Sequence, residues 1–221
     1  MKILVKFPTK GRKNKFFNTL KIYQNFCDDI ENTHFQITLD DDDETMNNDD
    51  VKSILSSFKN ISYYYGNSIS KIDAINRDMD KNTDWDILLL ASDDMIPKIK
   101  GYDNIIRERM KETFPDTDGV LWFNDGNHSE KLNTLSILGK KYYDRFNYIY
   151  NPKYKSTWCD NEFTDVSIKL DKQKYFKEII IRHEHPEWGF GVHDQVHSLN
   201  YANDQHDKNV YITNKSNNFY L

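Results

Sequence analysis

The stretch WDILLLASDDMIP, residues 85 to 97, limits what this chain can fold into more than any other. Ile87 to Leu90 are four consecutive apolar residues, so the run offers no face to water. A strand of that kind belongs in the middle of a sheet covered on both sides. The run then stops at Ser92, Asp93 and Asp94. Adjacent carboxylates repel, so a cation, a set of hydrogen-bond donors or open water is expected at that point.

The surrounding chain supplies the rest of such a sheet. Ile3 to Thr9 reads as a first strand, ended by Pro8 and followed by Gly11, and HFQITLD as a second that ends in the acidic run Asp40 to Asp43. NISYYYG and GVLWFN read as further strands. Between them lie apolar stripes at helical spacing: Phe16, Leu20, Tyr23 and Cys27; Val51, Ile54, Leu55 and Phe58; Ile72, Ile75 and Met79; and a helix over residues 102 to 113. Strands alternating with helices predict an α/β fold with a mostly parallel sheet. In open sheets of this type the ligand crevice lies beyond the carboxyl ends of the strands. Thr9, Asp40 and Asp93 each follow a strand end, so three strands are expected to deliver polar groups to one edge.

After residue 125 the pattern is less regular. NTLSILGKKYYDRFNYIY reads as strand, helix and short strand, with Asn147 a left-handed C-cap before YIY. STWCDNEFTDVSIK reads as a helix, and Asp171 as the cap of a short helix through Phe176. EIIIRHEHPEWG reads as a strand running into a His-containing loop. A final helix is expected over about residues 192 to 203, followed by a polar, loosely held NKSNNFYL.

Composition removes several function classes. With 38% hydrophobic and 14% aromatic residues in a chain of 221, a single globular domain with a full core is expected. No run approaches the roughly 18 apolar residues of a membrane span, and MKILVKFPTK is too short in apolar residues for a signal peptide. Cys27 and Cys159 show no CxxC spacing, which leaves neither a zinc site nor a disulfide framework and suits a reducing cytoplasm. The net charge of −5 argues against a protein that coats duplex nucleic acid. There is no GxxxxGK[ST], no GxGxxG after a strand and no GxSxG elbow. The run Asp40 to Asp43 lacks the Gly and terminal Glu of a calcium loop.

Three constellations remain. Ser92, Asp93 and Asp94 read either as ligands of a divalent cation that bridges nucleotide phosphates or as a solvated loop in which Asp94 caps the next turn. In RHEHPEWG, His183 and His185 alternate and share one face of an extended segment. His183 reads as a core or surface histidine, and His185 as either that or a metal ligand. In WCDNEF, Asp160 and Glu162 read either as a base of raised pKa in a partly apolar setting or as acids favoured at a helix N-terminus.

The order of KFPTKGR, TLDDDD, YGNSISKIDAINRDM, LLLASDDMIP, WCDNEF and HEHPEWG resembles a GT-A-fold glycosyltransferase of the family 2 type, over residues 1 to about 195. That resemblance implies a single GT-A domain over residues 1–221: a nucleotide-sugar-binding half (1–124), an acceptor and catalytic half (125–205) and a C-terminal tail (206–221). It implies an enzyme, a soluble cytoplasmic hexosyltransferase that moves a sugar from a nucleotide-diphosphate donor to a hydroxyl, with inversion. The acid-ended second strand points to a UDP-sugar. Pro8, Thr9 and Arg12 would line the nucleotide pocket, Asp40 or Asp41 would accept a hydrogen bond from the base, and Lys71 would sit near ribose or phosphate. Ser92 and Asp93 would face the donor, Asp93 would bind Mn²⁺ or Mg²⁺, and His185 would complete the metal's protein ligands. Asp160 aligns with the catalytic base and Glu162 with a neighbour that contacts the acceptor.

Ala91 departs from the pattern, since many relatives carry a ribose-binding acid there; ribose binding is the property it puts in question. A catalytically inactive GT-A module that binds a nucleotide sugar or glycan is the competing expectation. A nucleotidyltransferase would show a Gly-rich, Arg-containing loop after the first strand, where this chain has only Gly11. The acceptor is not legible: a lipid-linked glycan, a protein, a metabolite and a modified DNA base all stay open. The basic KGRKNK segment lies beside the expected diphosphate, which explains it without nucleic acid.

Overall fold

The computed structural model describes residues 1–190 and 201–221. Its large sheet contains β1 (Ile3–Pro8), β2 (Thr33–Asp40), β3 (Ile61–Gly66), β4 (Ile87–Leu90), β6 (Val120–Phe123), β7 (Ile137–Gly139) and β8 (Gln173–Phe176), in the order β3-β2-β1-β4-β7-β6-β8. The pairs β1–β2, β1–β4, β2–β3 and β6–β8 are parallel, and β7 runs against both its neighbours. The expected α/β architecture with a mostly parallel sheet is therefore what the chain adopts. A second, two-stranded sheet pairs β5 (Met95–Pro97) with β9 (Ile181–His183) in antiparallel fashion.

The two faces of the sheet explain the apolar run of β4. Ile87 and Leu89 join Ile3, Val5 and Phe7 of β1 on one face, under α1 (Lys13–Phe26) and α4 (Tyr102–Thr113). Leu88 and Leu90 join Leu4 on the other, with Ile72 and Ile75 of α3 (Lys71–Asn76), Tyr142 of α5 (Lys140–Asp144) and Phe163 of α6 (Cys159–Lys169). Helix α2 (Asp49–Leu55) begins at an Asn48 cap, whose side chain accepts from Val51 N at 3.0 Å. Among the described residues no helix is long and apolar enough to cross a membrane.

The structure departs from the sequence-based expectations in the second half. Asp171 is left-handed, with φ 54°, but it closes the C-terminus of α6, where Asp171 N bonds Ile168 O and Lys172 N bonds Ser167 O, each at 2.9 Å. It starts no helix: Gln173–Phe176 is β8, in register with β6 from Val120↔Gln173 to Phe123↔Phe176. Ring contacts decide this, Trp122 with Tyr175 at 5.5 Å and Phe123 with Phe176 at 5.0 Å between centroids. Asn147 has the expected positive φ of 58°, yet no strand follows. Tyr150 is instead held by side chains, its OH 2.8 Å from Ser136 Oγ and its carbonyl accepting from Asn76 Nδ2 at 2.6 Å. The helix expected over 192 to 203 lies outside the described residues but for its last few. The segment read as a tail is a helix, α7 (Asp204–Ser216), with Asp207 and Asn214 buried.

Lys6 breaks the apolar alternation of β1. It follows Leu4 on the α3 face, fully buried, and its ammonium group donates to Thr38 Oγ1 and, at 2.5 Å, to the carbonyl of Arg77. Burial pulls its pKa from 10.5 down to about 7, with Asp78 opposing and Arg77 assisting. The native state therefore binds fewer protons than the unfolded chain above about pH 7, and stability rises with pH toward 10.5. Urea denaturation between neutral and mildly alkaline pH should show this rise, and Lys6→Met should flatten it. An unchanged slope in the variant would mean that Lys6 stays charged when folded.

Candidate active site at the carboxyl edge of the sheet

The strand ends bring together most of the residues expected at one edge. Pro8 closes β1 opposite Thr38, and Thr9 N continues the ladder to Thr38 O at 3.0 Å. Thr9 Oγ1 is buried and has no hydrogen-bond partner among the described residues. The chain then turns at Gly11, whose φ of 71° suits glycine, and Gly11 N donates to Asp43 Oδ2 at 2.6 Å. Asp43 also takes Thr45 N and Oγ1, at 3.1 and 2.6 Å, so it ties the loop after β1 to the loop after β2. Asp40 ends β2 with its carboxylate 2.9 Å from Lys10 Nζ and 3.6 Å from Arg77 Nη1. Asp41 is exposed, and its N–H bonds Gly66 O at 2.9 Å.

Asp93 and Asp94 resolve their repulsion differently. Asp93 Oδ1 lies 3.1 Å from Arg12 Nη1 and 3.4 Å from Lys15 Nζ, and Thr19 Oγ1 holds its carbonyl at 2.9 Å. Burial, with Asp94 alongside, pushes the Asp93 carboxyl above the usual range despite Lys15 and Arg12. Asp94 is equally buried, which also raises it. Contact with His183, 3.6 Å away, the Ser92 hydroxyl and the Lys15 charge outweigh that and hold it well below the ordinary range. Ser92 is thus a partner of Asp94, and His183, read from sequence as a bystander, is the residue that meets the acidic pair. His185 packs edge-on beside it, with ring centroids 5.6 Å apart.

Among the described residues no three His, Cys, Asp or Glu side chains converge closely enough to hold a metal ion by themselves. The donors at Asp93 and Asp94 are nevertheless hard carboxylate oxygens of the kind Mg²⁺ and Mn²⁺ take. Buried polar atoms without partners among the described residues, Thr9 Oγ1, Arg182 Nε and His183 Nδ1, belong to the same strand ends and to β9. The two carboxylates suit a dication that draws part of its coordination from the oxygens of a bound phosphate, whereas Arg182 Nε, a donor on a cation, suits the phosphate itself.

The far side of this edge is built by residues 124–134 and the start of α6. Asp125, 2% exposed, accepts from Asn127 N, His128 N, His128 Nδ1 and Thr134 Oγ1 at 2.7–2.8 Å, and its carbonyl accepts from His183 N at 2.9 Å. Burial raises the Asp125 carboxyl, but these donors bring it far below its usual value. The His128 ring packs edge-to-face on Trp188 at 5.3 Å. His128 and Lys71 both act electrostatically on Asp160, a half-buried acid in the first turn of α6. Burial raises the Asp160 carboxyl, and the Lys71 charge, nearby backbone N–H groups and His128 when protonated only partly offset it. Contacts therefore run from Asp94 through His183 and Asp125 to His128, and His128 reaches Asp160 only through electrostatics. Asn133 N donates to Thr164 Oγ1 at 3.0 Å, and Thr164 Oγ1 to Asp160 O at 2.7 Å, which stitches the same loop to α6.

Glu162 does not share that position. It is buried, and its oxygens accept from Asn151 Nδ2, Tyr154 OH and Asn214 Nδ2, each at 2.7 Å. Two residues after Asp160 on a helix is the opposite face, so the expected contact with an acceptor gives way to an internal anchor. Lys71 is exposed at the start of α3 and meets the site through Asp160. Sequence reading missed Lys15, Arg77, Asp125 and His128. Lys15 and Arg77 lay in stretches already singled out, KGRKNK and YGNSISKIDAINRDM, without a role assigned to them; Asp125 and His128 fall in the irregular stretch NDGNHSEKLN.

No protein-family model matches the chain, and no curated protein matches it by sequence. Solved structures do match by shape. The mannosyltransferase PcManGT from Pyrobaculum calidifontis, in complex with GDP-Man and Mn²⁺, superposes with a TM-score of 0.64 at 10% identity, over 86% of this chain and 58% of that one. S. aureus TarS 1-349 in complex with UDP-GlcNAc gives 0.65 at 14% identity, over 82% and 58%. The 4-diphosphocytidyl-2C-methyl-D-erythritol synthase of Anaerococcus prevotii gives 0.55 at 13% identity, over 84% of this chain and 92% of that one. The chain has the GT-A fold shared by these transferases, and it spans less than two thirds of the two glycosyltransferase chains.

Replacing Asp125 by Asn leaves four donors facing a group that can no longer accept from all of them. The variant should lose roughly 2–4 kcal/mol of stability in urea denaturation. A loss below about 0.5 kcal/mol would show that the loop does not depend on this carboxylate.

Proposed function

We propose that this chain is a metal-dependent, inverting glycosyltransferase of hexosyltransferase type, with a UDP-sugar as donor and a hydroxyl as acceptor. The observation that carries the proposal is the pairing of two unlike acidic centres at one sheet edge. Asp93 lies among cations suited to a diphosphate, and Asp160 is a carboxyl of raised pKa within electrostatic range of His128, which Asp125 and His183 link to Asp94 beside Asp93. The fold's likeness to proteins solved with GDP-Man and Mn²⁺ and with UDP-GlcNAc supports the donor class.

In this reading residues 1–124 hold the nucleotide and 125–205 the acceptor side. Pro8, Thr9 and Asp40 or Asp41 face the nucleoside, and Arg12 and Lys15 the diphosphate. Asp93 and His185 hold a divalent cation, which when bound offsets charge on the departing diphosphate. Asp160 takes the proton of the acceptor hydroxyl as its oxygen bonds to the anomeric carbon. The carbon–oxygen bond to phosphate breaks, and its electron pair leaves with the nucleoside diphosphate. One base and one leaving group give a single displacement, hence inversion. Lys71 opposes the effect of burial on Asp160 without cancelling it.

A second reading, a module that binds a nucleotide sugar or glycan without turnover, draws support from Ala91, buried where relatives carry an acid, and from the two cations that already pair with Asp93. The two readings separate on hydrolysis of UDP-, GDP- and dTDP-sugars with and without Mn²⁺. Release of one nucleotide, dependent on Mn²⁺ and lost in Asp93→Ala, is expected. Binding of a donor with no release by the folded protein would favour the module.

Asp160 gives an independent check on the base. Because only its ionised form accepts a proton, turnover should rise with pH through a pKa above the ordinary 3.8. Asp160→Asn should abolish that limb and lower kcat by about 100-fold or more. A pH profile unchanged in the variant would remove Asp160 from the role.

A further inference from the structure

The contacts of α7 are concentrated on the short stretch of chain that leads into α6. Asp207, fully buried, accepts three consecutive backbone N–H groups: Lys155 at 2.9 Å, Ser156 at 2.8 Å and Thr157 at 2.9 Å. His206 Nδ1 approaches the same carboxylate at 2.9 Å. One turn earlier, Asp204 Oδ1 accepts from Trp158 Nε1 at 3.0 Å and from Thr157 Oγ1 at 3.2 Å. Further along, Tyr211 OH donates to Asp165 Oδ2 at 2.8 Å and Asn214 Nδ2 to Glu162 Oε2 at 2.7 Å. Residues 204, 207, 211 and 214 fall on one stripe of a helix. A stripe of this kind packs a core when apolar; here it is polar and grips residues 155–165.

The gripped stretch contains a costly turn. Trp158, immediately before α6, has φ 61° and ψ −7°. In the left-handed region the Cβ of a non-glycine residue crowds the neighbouring carbonyl, and such strain persists where the surroundings over-determine it. Asp207 fixes the backbone ahead of Trp158, and Asp204 fixes its indole. Asp160 follows two residues later. Its carbonyl is tied down by Thr164 Oγ1 and its Oδ1 accepts from Asn161 N at 3.0 Å, so its direction follows that of the helix start.

We infer that α7 is the positioning element of the reaction centre, and that Asp207 is a positioning residue: by gathering the amides of residues 155–157 it sets the left-handed turn from which Asp160 is presented. The inference rests on Asp160 as the base and adds to it a dependence on a helix some 40 residues further along the chain.

A double-mutant cycle on the full chain tests it, with donor hydrolysis as the rate and UDP binding in Mn²⁺ as the control. Asp207→Asn keeps the size of the side chain but turns an amide group toward backbone donors. It should lower kcat by about 100-fold, the scale of an ångström's misplacement of a reacting group, while the Kd for UDP stays unchanged. In an Asp160→Asn background the same substitution should cost almost nothing further, because its effect passes through Asp160. Equal losses in both backgrounds, or no loss in either, would overturn the positioning role and leave the base assignment standing. If Asp160→Asn itself costs nothing in an active enzyme, or the wild-type chain hydrolyses no donor, the base assignment fails and the inference falls with it. Should Asp207→Asn not fold, Asp204→Asn, which disturbs the Trp158 indole and the Thr157 hydroxyl but leaves the three gathered amides in place, carries the same cycle with the same outcomes.

Discussion

A strand buried on both faces that ends in two adjacent acids creates an electrostatic demand, and much of the structure answers it. Asp94 is met by Ser92 from its own loop and by His183 from β9. That second contact needs β9 beside β5, which the small antiparallel sheet provides through Met95↔His183. Asp93 is met by Arg12 and Lys15 from the start of α1, so the loop after β1 has to fold back over the strand ends. The outcome is asymmetric: one carboxyl is held firmly ionised and the other is pushed up. Cations that balance Asp93 are also the groups a diphosphate would recruit, so the same demand that shapes the fold prepares the site.

Buried aspartates recur as organisers of backbone, both at that edge and away from it. Asp43 takes Gly11 N and Thr45 N. Asp103 takes Asp28 N and Asp29 N and pairs with Arg107. Asp125 gathers the loop after β6, and Asp207 the lead-in to α6. In each case an ionised acceptor satisfies amides that regular structure leaves unpaired, which is the condition for burying irregular backbone. The acidity of the chain is thus partly internal. It fixes the loops that carry Arg12, His128 and Asp160, and loops fixed from behind can hold reacting groups at defined positions.

The sequence determined the central strands of the sheet, though not its last, β8, which local pattern reads as a helix. The apolar run of β4, the helical stripes on either side of it and the acids after β2 and β4 are local patterns, and local patterns encode which face of an element is buried. From them follow the parallel core, the edge at which Thr9, Asp40 and Asp93 gather, and the start of a helix near Asp160. Tertiary structure decided which polar groups work together. Nothing near Glu162 in the chain announces that Asn214 will saturate its carboxylate, nothing near Asp207 that it will hold residues 155–157, and nothing near His183 that it will face Asp94. Lys6 reads as a strand residue of ordinary charge until Leu4 and the α3 face are seen to bury it. Burial and partner set the charge and role of each of these side chains, and both come from residues distant in sequence, whereas periodicity reports only on neighbours a few positions away.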